Sequence, residues 1–432
     1  MTRLRVVQTA RGILPSKDVQ QTLAQKIIAR AAGRPAVTPG EIVTCKVDLA
    51  MMHDSSGPRR VQPMLERLGA KVWDRSKVVL VTDHYLPAYD DESRRIIRIT
   101  REWVRAAGID NFYDEQGICH VVLPERGHLR PGMFAVGGDS HSPTGGAFAA
   151  YMFGIGATEM LGVLVTGEIW LKVPHTIAFE FDGAFAPAVS AKDAMLFLIG
   201  RFGQDGGQYQ AVEYRGSGVR QLPMQERMTL CNMAAELGAQ TGLVASDSVT
   251  REFLKLEALE PWESDPEAPL LAHHRFDAAG LAPQVAAPHS PANTKPVNEF
   301  HDVRPQLAYI GACTGAKLED LRMAARILKG RKARVRLLVA PASLRDQQSA
   351  EKEGILQILL DSGAELLANA CGICAGYGAH LLPEDMVAIS STARNFKGRM
   401  GAASSQVYLA SPYTVAASAV AGRICDPREL LQ

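Results

Sequence analysis

Residues Met133-Phe-Ala-Val-Gly-Gly-Asp-Ser-His141 set a short apolar run directly against a glycine turn and a polar triplet. The same pattern recurs where Val78 to Val81 precedes Thr82-Asp83-His84, and where Glu365 to Ala368 leads toward Cys371. Buried strands whose carboxyl ends carry chemistry are the usual layout of open α/β sheets. Val335 to Ala340 reads as another such strand, and Glu319 to Lys329, closed by Gly330, as a connecting helix. The fold class read from these runs is α/β.

At 432 residues, with 47% apolar and 22% charged side chains, the chain exceeds what one core usually holds, and two or three packed units are expected. Forty-seven Lys plus Arg against 46 Asp plus Glu leave a net charge of +1, which offers no global field for nucleic acid or an anionic membrane. Neither is expected as a partner. The most apolar stretch, Ala147 to Trp170, contains Glu159, Glu168 and several glycines, so it reads as buried helix and strand and not as a bilayer span. The seven cysteines are scattered and odd in number, which argues against a disulfide framework and for a reducing compartment. A cytoplasmic location follows, although Arg3, Arg5 and Arg11 with no acid before Asp18 also suit an organellar transit peptide.

Ser16 is a plausible N-cap for a first helix with Val19, Leu23, Ile27 and Ala31 on one face and Gly33 at its end. Seven prolines between Glu260 and Pro296 predict an interdomain linker, because proline interrupts both helix and central strand. A second seam is expected at Val173-Pro174, before a strand over His175 to Phe181 and a turn at Asp182-Gly183. The expected division is 1–173, 174–292 and 293–432.

Three constellations carry chemistry. Cys371-Gly-Ile-Cys374 and Cys313, in Ile310-Gly-Ala-Cys-Thr-Gly315, can aim three thiolates at one metal centre. From spacing alone the triad fits an iron-sulfur cluster, a zinc site, a redox pair or buried spectators. A 4Fe-4S cube on three thiolates would leave one open iron to act as a Lewis acid on a hydroxyl or carboxylate. The second constellation is acid-base: Asp83-His84, His120, Asp139-Ser140-His141 and Glu236, in which carboxylates can hold imidazole protons. Against it, lone histidines are often core residues, Asp139 could cap a helix, and Glu236 lies in the helical stretch Met224 to Leu237, where glutamate is usually solvated. The third is Arg394 and Arg399 in one glycine-bearing loop, suited to a di- or tricarboxylate or simply to solvent.

In this order the motifs resemble the aconitase superfamily, and specifically the large subunits of the two-subunit isopropylmalate isomerase (3-isopropylmalate dehydratase) type. The matching stretches are Val81-Thr-Asp-His84, Gly138-Asp-Ser-His-Ser142, Phe153-Gly-Ile-Gly156 with Glu159, Cys231-Asn-Met-Ala-Ala-Glu236, Ile310-Gly-Ala-Cys-Thr314, Cys371-Gly-Ile-Cys374, Arg394-Asn-Phe-Lys-Gly-Arg399 and Tyr408-Leu-Ala-Ser-Pro412. The resemblance implies three α/β domains around a cleft that holds a 4Fe-4S cluster on Cys313, Cys371 and Cys374. It implies that Asp83 and His84 protonate a departing hydroxyl, assisted by His120, Asp139, His141 and Glu236. Arg394 and Arg399 would hold a substrate carboxylate, with His53 and Ser140 lining the pocket, and Cys45, Cys119, Cys231 and Cys425 would be spectators. A separate small subunit is expected to supply the swivelling domain and the catalytic base. Three departures stand out: Gly315 and Ala393 replace usual asparagines, and Ile373 replaces a usual proline. The expected function is that of the large catalytic subunit of an iron-sulfur hydro-lyase that dehydrates, hydrates or isomerises a small 2-hydroxy di- or tricarboxylate, 3-isopropylmalate dehydratase-like, and the departures raise the alternative of a specialised paralogue acting on methylmalate, 2,3-dimethylmalate, maleate or homoaconitate. A zinc or thiol redox protein, and an RNA-binding role, are the rivals from other classes.

Overall fold

In a computed structural model, residues 19–431 are described. Three largely parallel sheets follow one another along the chain. The first orders its strands Phe112–Tyr113, Val78–Val81, Leu49–His53, Phe134–Gly137 and Tyr151–Gly154, all parallel. Every residue of Leu49–His53, Val78–Val81 and Phe134–Gly137 is buried, as expected of strands covered on both faces. Each buried valine or leucine there contributes about 1.5–3 kcal/mol relative to exposure.

The second sheet orders Thr241–Leu243, Ala211–Arg215, Thr176–Asp182 and Ala272–Asp277, again parallel. The third has seven strands, in the order Thr294–Pro296, Gln284–Ala286, Gln406–Ala410, Val387–Ser390, Leu307–Ile310, Arg336–Val339 and Ala364–Leu366. Its first two strands are antiparallel additions to a parallel core. A separate antiparallel ribbon joins Ile42–Lys46 to Glu168–Lys172. Among the described residues no helix is long and apolar enough to cross a membrane.

Two expectations need amendment. The first described helix is Leu23–Ala31, capped by Thr22 through a capping box with Gln25. Val19 precedes it and is half exposed, and the expected cap Ser16 lies outside the described residues. The proline-rich stretch is also more than a linker. It holds the strand Ala272–Asp277 and the short strands Gln284–Ala286 and Thr294–Pro296. Proline is tolerated because Ala272–Asp277 and Thr294–Pro296 are edge strands, and Pro283 and Pro288 flank Gln284–Ala286 without entering it. The chain joins the third sheet at Gln284, within the stretch expected to be a linker.

Candidate active site

The parallel sheets deliver polar residues from their carboxyl ends to one place. His53 is the last residue of its strand, Asp83-His84 follows Val81, and Asp139 follows Gly137. Cys313 comes just after the strand Leu307–Ile310, and Arg394 just after Val387–Ser390. Glu236 and Asn232 arrive at the end of the helix Met224–Asn232, which tightens into a short 3-10 turn over Met233–Ala235. Glu236 is accordingly not the solvated helical glutamate that its sequence context suggests: it is 3% exposed.

His84 is the centre of the acid-base group. Its Nδ1 lies 2.6 Å from Asp83 Oδ1. Although burial alone would lower it, the charge and hydrogen bond of Asp83, with Asp139 and Asp54 beyond, raise His84 to about 10. Burial alone would raise Asp83, but the same pair, together with His53 and the Cys119 amide, holds it well below the usual carboxylate range. The proton of the pair therefore resides on the imidazole, which leaves His84 Nε2 as a protonated donor 3.7 Å from Asp139 Oδ2.

The ring of His53 stacks on that of His84 at 3.9 Å between centroids and 13° between planes. Burial, and the neighbouring charge of His84, lower His53 to about 4. His53 Nδ1 accepts from the Ser55 amide at 3.2 Å, so the single proton of the neutral ring sits on Nε2, which is buried without a partner. One stacked pair thus contains a cationic and a neutral imidazole.

Asp139 Oδ1 lies 2.7 Å from His120 Nε2 and accepts from the His141 amide at 2.7 Å. Burial would raise Asp139, but the charges of His120, His141 and His53 and the His120 hydrogen bond keep it well below its ordinary value. His141 Nε2 in turn lies 2.8 Å from Glu236 Oε1, which also accepts from Arg394 Nε at 2.6 Å. Against the effect of burial, the charges of His141 and Arg394 and their hydrogen bonds bring Glu236 down to about 2. Arg394 Nη1 donates to the exposed Ser140 Oγ at 2.9 Å. With Nε and Nη1 so engaged, Arg394 keeps only Nη2 free of protein hydrogen bonds among the described residues. Arg399 uses Nε on the Cys374 carbonyl at 2.7 Å and keeps both Nη groups free of protein hydrogen bonds among the described residues.

Two contributors were given no role by the sequence reading. Asp54, fully buried beside His53, accepts from the amides of Asp83, His84 and Tyr85 at 3.0, 3.1 and 2.7 Å. It fixes the turn that carries the acid pair, and the adjacent His53-Asp54 dipeptide was the available signal. Asn232 Nδ2 donates to Cys313 Sγ at 3.2 Å and to Thr144 Oγ1 at 2.8 Å. Cys119, expected to be a bystander, donates its backbone amide to Asp83 Oδ2 at 2.8 Å.

All seven cysteines are free and buried. Cys371 and Cys374 pack with Ala312 in one small cluster, and the Cys371 amide donates to the Asp83 carbonyl at 2.8 Å, tying the thiol loop to the acid pair. Ala312, next to Cys313, holds the left-handed φ of +69°, a conformation that costs a non-glycine residue about 1–2 kcal/mol. Burial, and then the neighbouring Cys374, push the Cys313 thiol up to about 12 despite the hydrogen bond from Asn232. A thiol held that high becomes a thiolate against a metal cation, and the donor set fits such a group. Three buried side-chain atoms without partners, His53 Nε2, Asn232 Oδ1 and Glu236 Oε2, belong to the same site.

Among the described residues, two groups place three or more ligand atoms within 4.8 Å of one another: His53, Asp54, Asp83 and His84, and His120, Asp139 and His141. The three cysteine sulfurs form no such close group. The departure at Gly315 has a local cause. A Cβ there would lie 2.1 Å from Ser391 Oγ and 2.6 Å from the Ser391 carbonyl oxygen, so no side chain fits without a shift of the backbone at 391. Ile373 and Ala393 are buried at 3% and 1% exposure, and nothing in the packing explains why they replace proline and asparagine.

Charged acid-base pairs converging beside three buried thiols, at the carboxyl ends of parallel sheets, mark a hydro-lyase. The chain belongs to the aconitase family (aconitate hydratase), which it matches over residues 25–304 and 298–422. It is 44% identical over 417 residues to the 3-isopropylmalate dehydratase large subunit 1 of Methanopyrus kandleri, covering 95% of this chain and 100% of that one. It is 45% identical over 388 residues to a probable methanogen homoaconitase large subunit of Methanosarcina mazei, covering 89% and 99%. Identity to the 3-isopropylmalate dehydratase large subunit of Aquifex aeolicus is 41% over 423 residues, covering 95% and 98%.

Proposed function

We propose that the chain is the large subunit of a two-subunit iron-sulfur hydro-lyase acting on a small 2-hydroxy di- or tricarboxylate, in the manner of 3-isopropylmalate dehydratase. The observation that carries the reading is the protonated His84, locked to Asp83 and tied through the Cys371 amide to the thiol loop. Cys313, Cys371 and Cys374 would hold a 4Fe-4S cluster, which supplies Lewis acidity to a substrate hydroxyl and carboxylate when bound. Three thiols without a fourth protein ligand support a cluster over a structural zinc, which usually takes four.

In the dehydration direction His84 Nε2 gives its proton to the departing hydroxyl, which leaves as water. Asp83 steadies the imidazolium before transfer and orients the ring afterwards. His53 Nε2–H and Ser140 present neutral donors to substrate oxygens, while Arg394 Nη2 and the free Nη groups of Arg399 hold carboxylate. Asp139 keeps His120 and His141 in place, and Glu236 anchors His141 and Arg394 together. A base is still needed to take the proton from carbon. That base, and much of the reading of the substrate's side chain, is assigned to a separate small subunit, a partner supported by the names of the relatives.

The relatives' names make 3-isopropylmalate the first substrate to test. The homoaconitase-named relative keeps longer tricarboxylates as the second. Seven free buried thiols favour a reducing compartment such as the cytoplasm. The three sheets support a division into three α/β domains with the third beginning near Gln284.

The test is iron and sulfide content after anaerobic reconstitution, for the wild-type chain and for Cys313→Ser and Cys374→Ser. The reading expects visible iron-sulfur absorbance that both substitutions abolish. Full occupancy by zinc without iron would overturn it.

A further inference from the structure

Lys192 is 1% exposed and sits in the first turn of the helix Ala191–Phe202, a position that two physical terms disfavour for a cation. Removal from water penalises the ammonium, and the helix N-terminus already carries partial positive charge. Burial lowers Lys192 to about 8. Its hydrogen-bond partners are all neutral: the Thr392 carbonyl at 2.6 Å, the Ser391 carbonyl at 3.0 Å and Thr314 Oγ1 at 3.4 Å. The other buried lysine of this region is arranged differently. Lys317 Nζ is bonded to Asp320 Oδ2 at 2.7 Å as well as to the Cys313 carbonyl and Thr229. Lys317 therefore carries its own counter-ion, and Lys192 has none in contact.

The negative charges that favour its protonated form are Glu236, Cys374 and Cys313, and Glu236 is already shared between His141 and Arg394. Thr314 follows the ligand Cys313, and Ser391-Thr392 leads into Arg394. One ammonium from the second sheet's helix thus joins the thiol loop to the arginine loop.

Resting on the reading of the three cysteines as cluster ligands, we propose that Lys192 is a positioning residue whose buried charge is the counter-ion of the anionic cluster-thiolate centre. Its charge holds that centre against loss, and its hydrogen bonds set the two loops at a fixed separation. Without the cluster the lysine is a net cost to the fold; with the cluster it is a net gain. A purely structural clamp would stabilise both forms alike.

The experiment compares wild type, Lys192→Met and Lys192→Gln, the last of which keeps a neutral donor. Each full chain is reconstituted anaerobically with iron and sulfide and then compared with its iron-free form. Two quantities are followed: thermal midpoint with and without cluster, and the rate of loss of iron-sulfur absorbance in a chelator. The expected result is a cluster-free midpoint equal to or above wild type in both variants, with cluster loss at least tenfold faster. The one-electron reduction midpoint should also fall by a tenfold change in equilibrium or more, about 59 mV. Equal destabilisation of both forms, unchanged cluster retention, or failure of both variants to fold would overturn the assignment. Failure of the wild-type chain to take up a cluster would instead sink the reading of the cysteines on which the assignment rests.

Discussion

Arg394 Nε donates to Glu236 Oε1 at 2.6 Å across 158 positions of sequence, joining the loop after one sheet to the helix end of another. Neither residue is free to move independently, since Glu236 also holds His141 and Arg394 also holds Ser140. Arg394→Lys removes the planar fork while keeping the charge, and a lysine cannot serve Glu236, Ser140 and a substrate carboxylate at once. Losing a charge-assisted hydrogen bond of about 1.5–3 kcal/mol predicts kcat/KM down roughly 10- to 100-fold in steady-state assays. The thermal midpoint should change little by comparison.

Asp83→Asn should act through the proton on His84. With the carboxylate gone, the two largest influences that raise His84 are lost while burial, the largest influence overall, remains, so His84 falls from about 10. The imidazole then loses its proton near neutral pH, and kcat for dehydration drops by about 10²–10⁴. In a pH-rate profile the alkaline limb should move to lower pH. A limb that stays in place would mean that another group is the acid.

Stability should respond to pH through Glu226, which accepts the Ala191 amide at 2.9 Å at the start of the Lys192 helix. Burial raises its carboxyl from 4.5 to about 7. Because the folded value lies above the unfolded one, its contribution is complete below about 4.5 and disappears as pH rises through about 7. Glu226→Gln keeps the acceptor and removes the charge. Thermal melts should find this variant equal to wild type near pH 4 and more stable near pH 8.

Gly315→Asn, which restores the residue usual in the family, should prevent cluster assembly or folding because of the clash with Ser391. Combining it with Ser391→Gly removes the side-chain clash but leaves the carbonyl oxygen of residue 391 at 2.6 Å from the new Cβ, so cluster loading should recover only in part. Ser391 Oγ also accepts from the Gly311 amide at 3.0 Å, so the double variant should still melt below wild type. Full recovery of cluster loading would show that the Ser391 side chain alone excludes a side chain at position 315 and would contradict the backbone clash.

The α/β class and several of the strands, such as Val78–Val81 and Phe134–Gly137, were legible in sequence because buried parallel strands are continuous apolar runs that stop at polar turns. Asp83-His84 and Asp139-Ser140-His141 announced themselves as adjacent carboxylate and imidazole. Asp54, Asn232 and Lys192 received no role, although Asp54 adjoins His53 and Asn232 lies in a quoted motif, because each acts through partners far away in sequence. Glu236 was a candidate whose helical context pointed to solvent until the 3-10 turn carried it inward. The proline-rich stretch misled for the opposite reason: proline excludes central strands but leaves edge strands open, and two of the three there are edges.

The most direct test of the account is formation of the product double bond by the cluster-loaded chain combined with a cognate small subunit. Wild type and His84→Ala are compared on 3-isopropylmalate, homocitrate-type tricarboxylates and methylated malates. The account predicts turnover of at least one of these acids, dependent on bound iron and reduced by about 10²-fold or more in His84→Ala. Undiminished turnover in His84→Ala, or in protein carrying zinc and no iron, would contradict it.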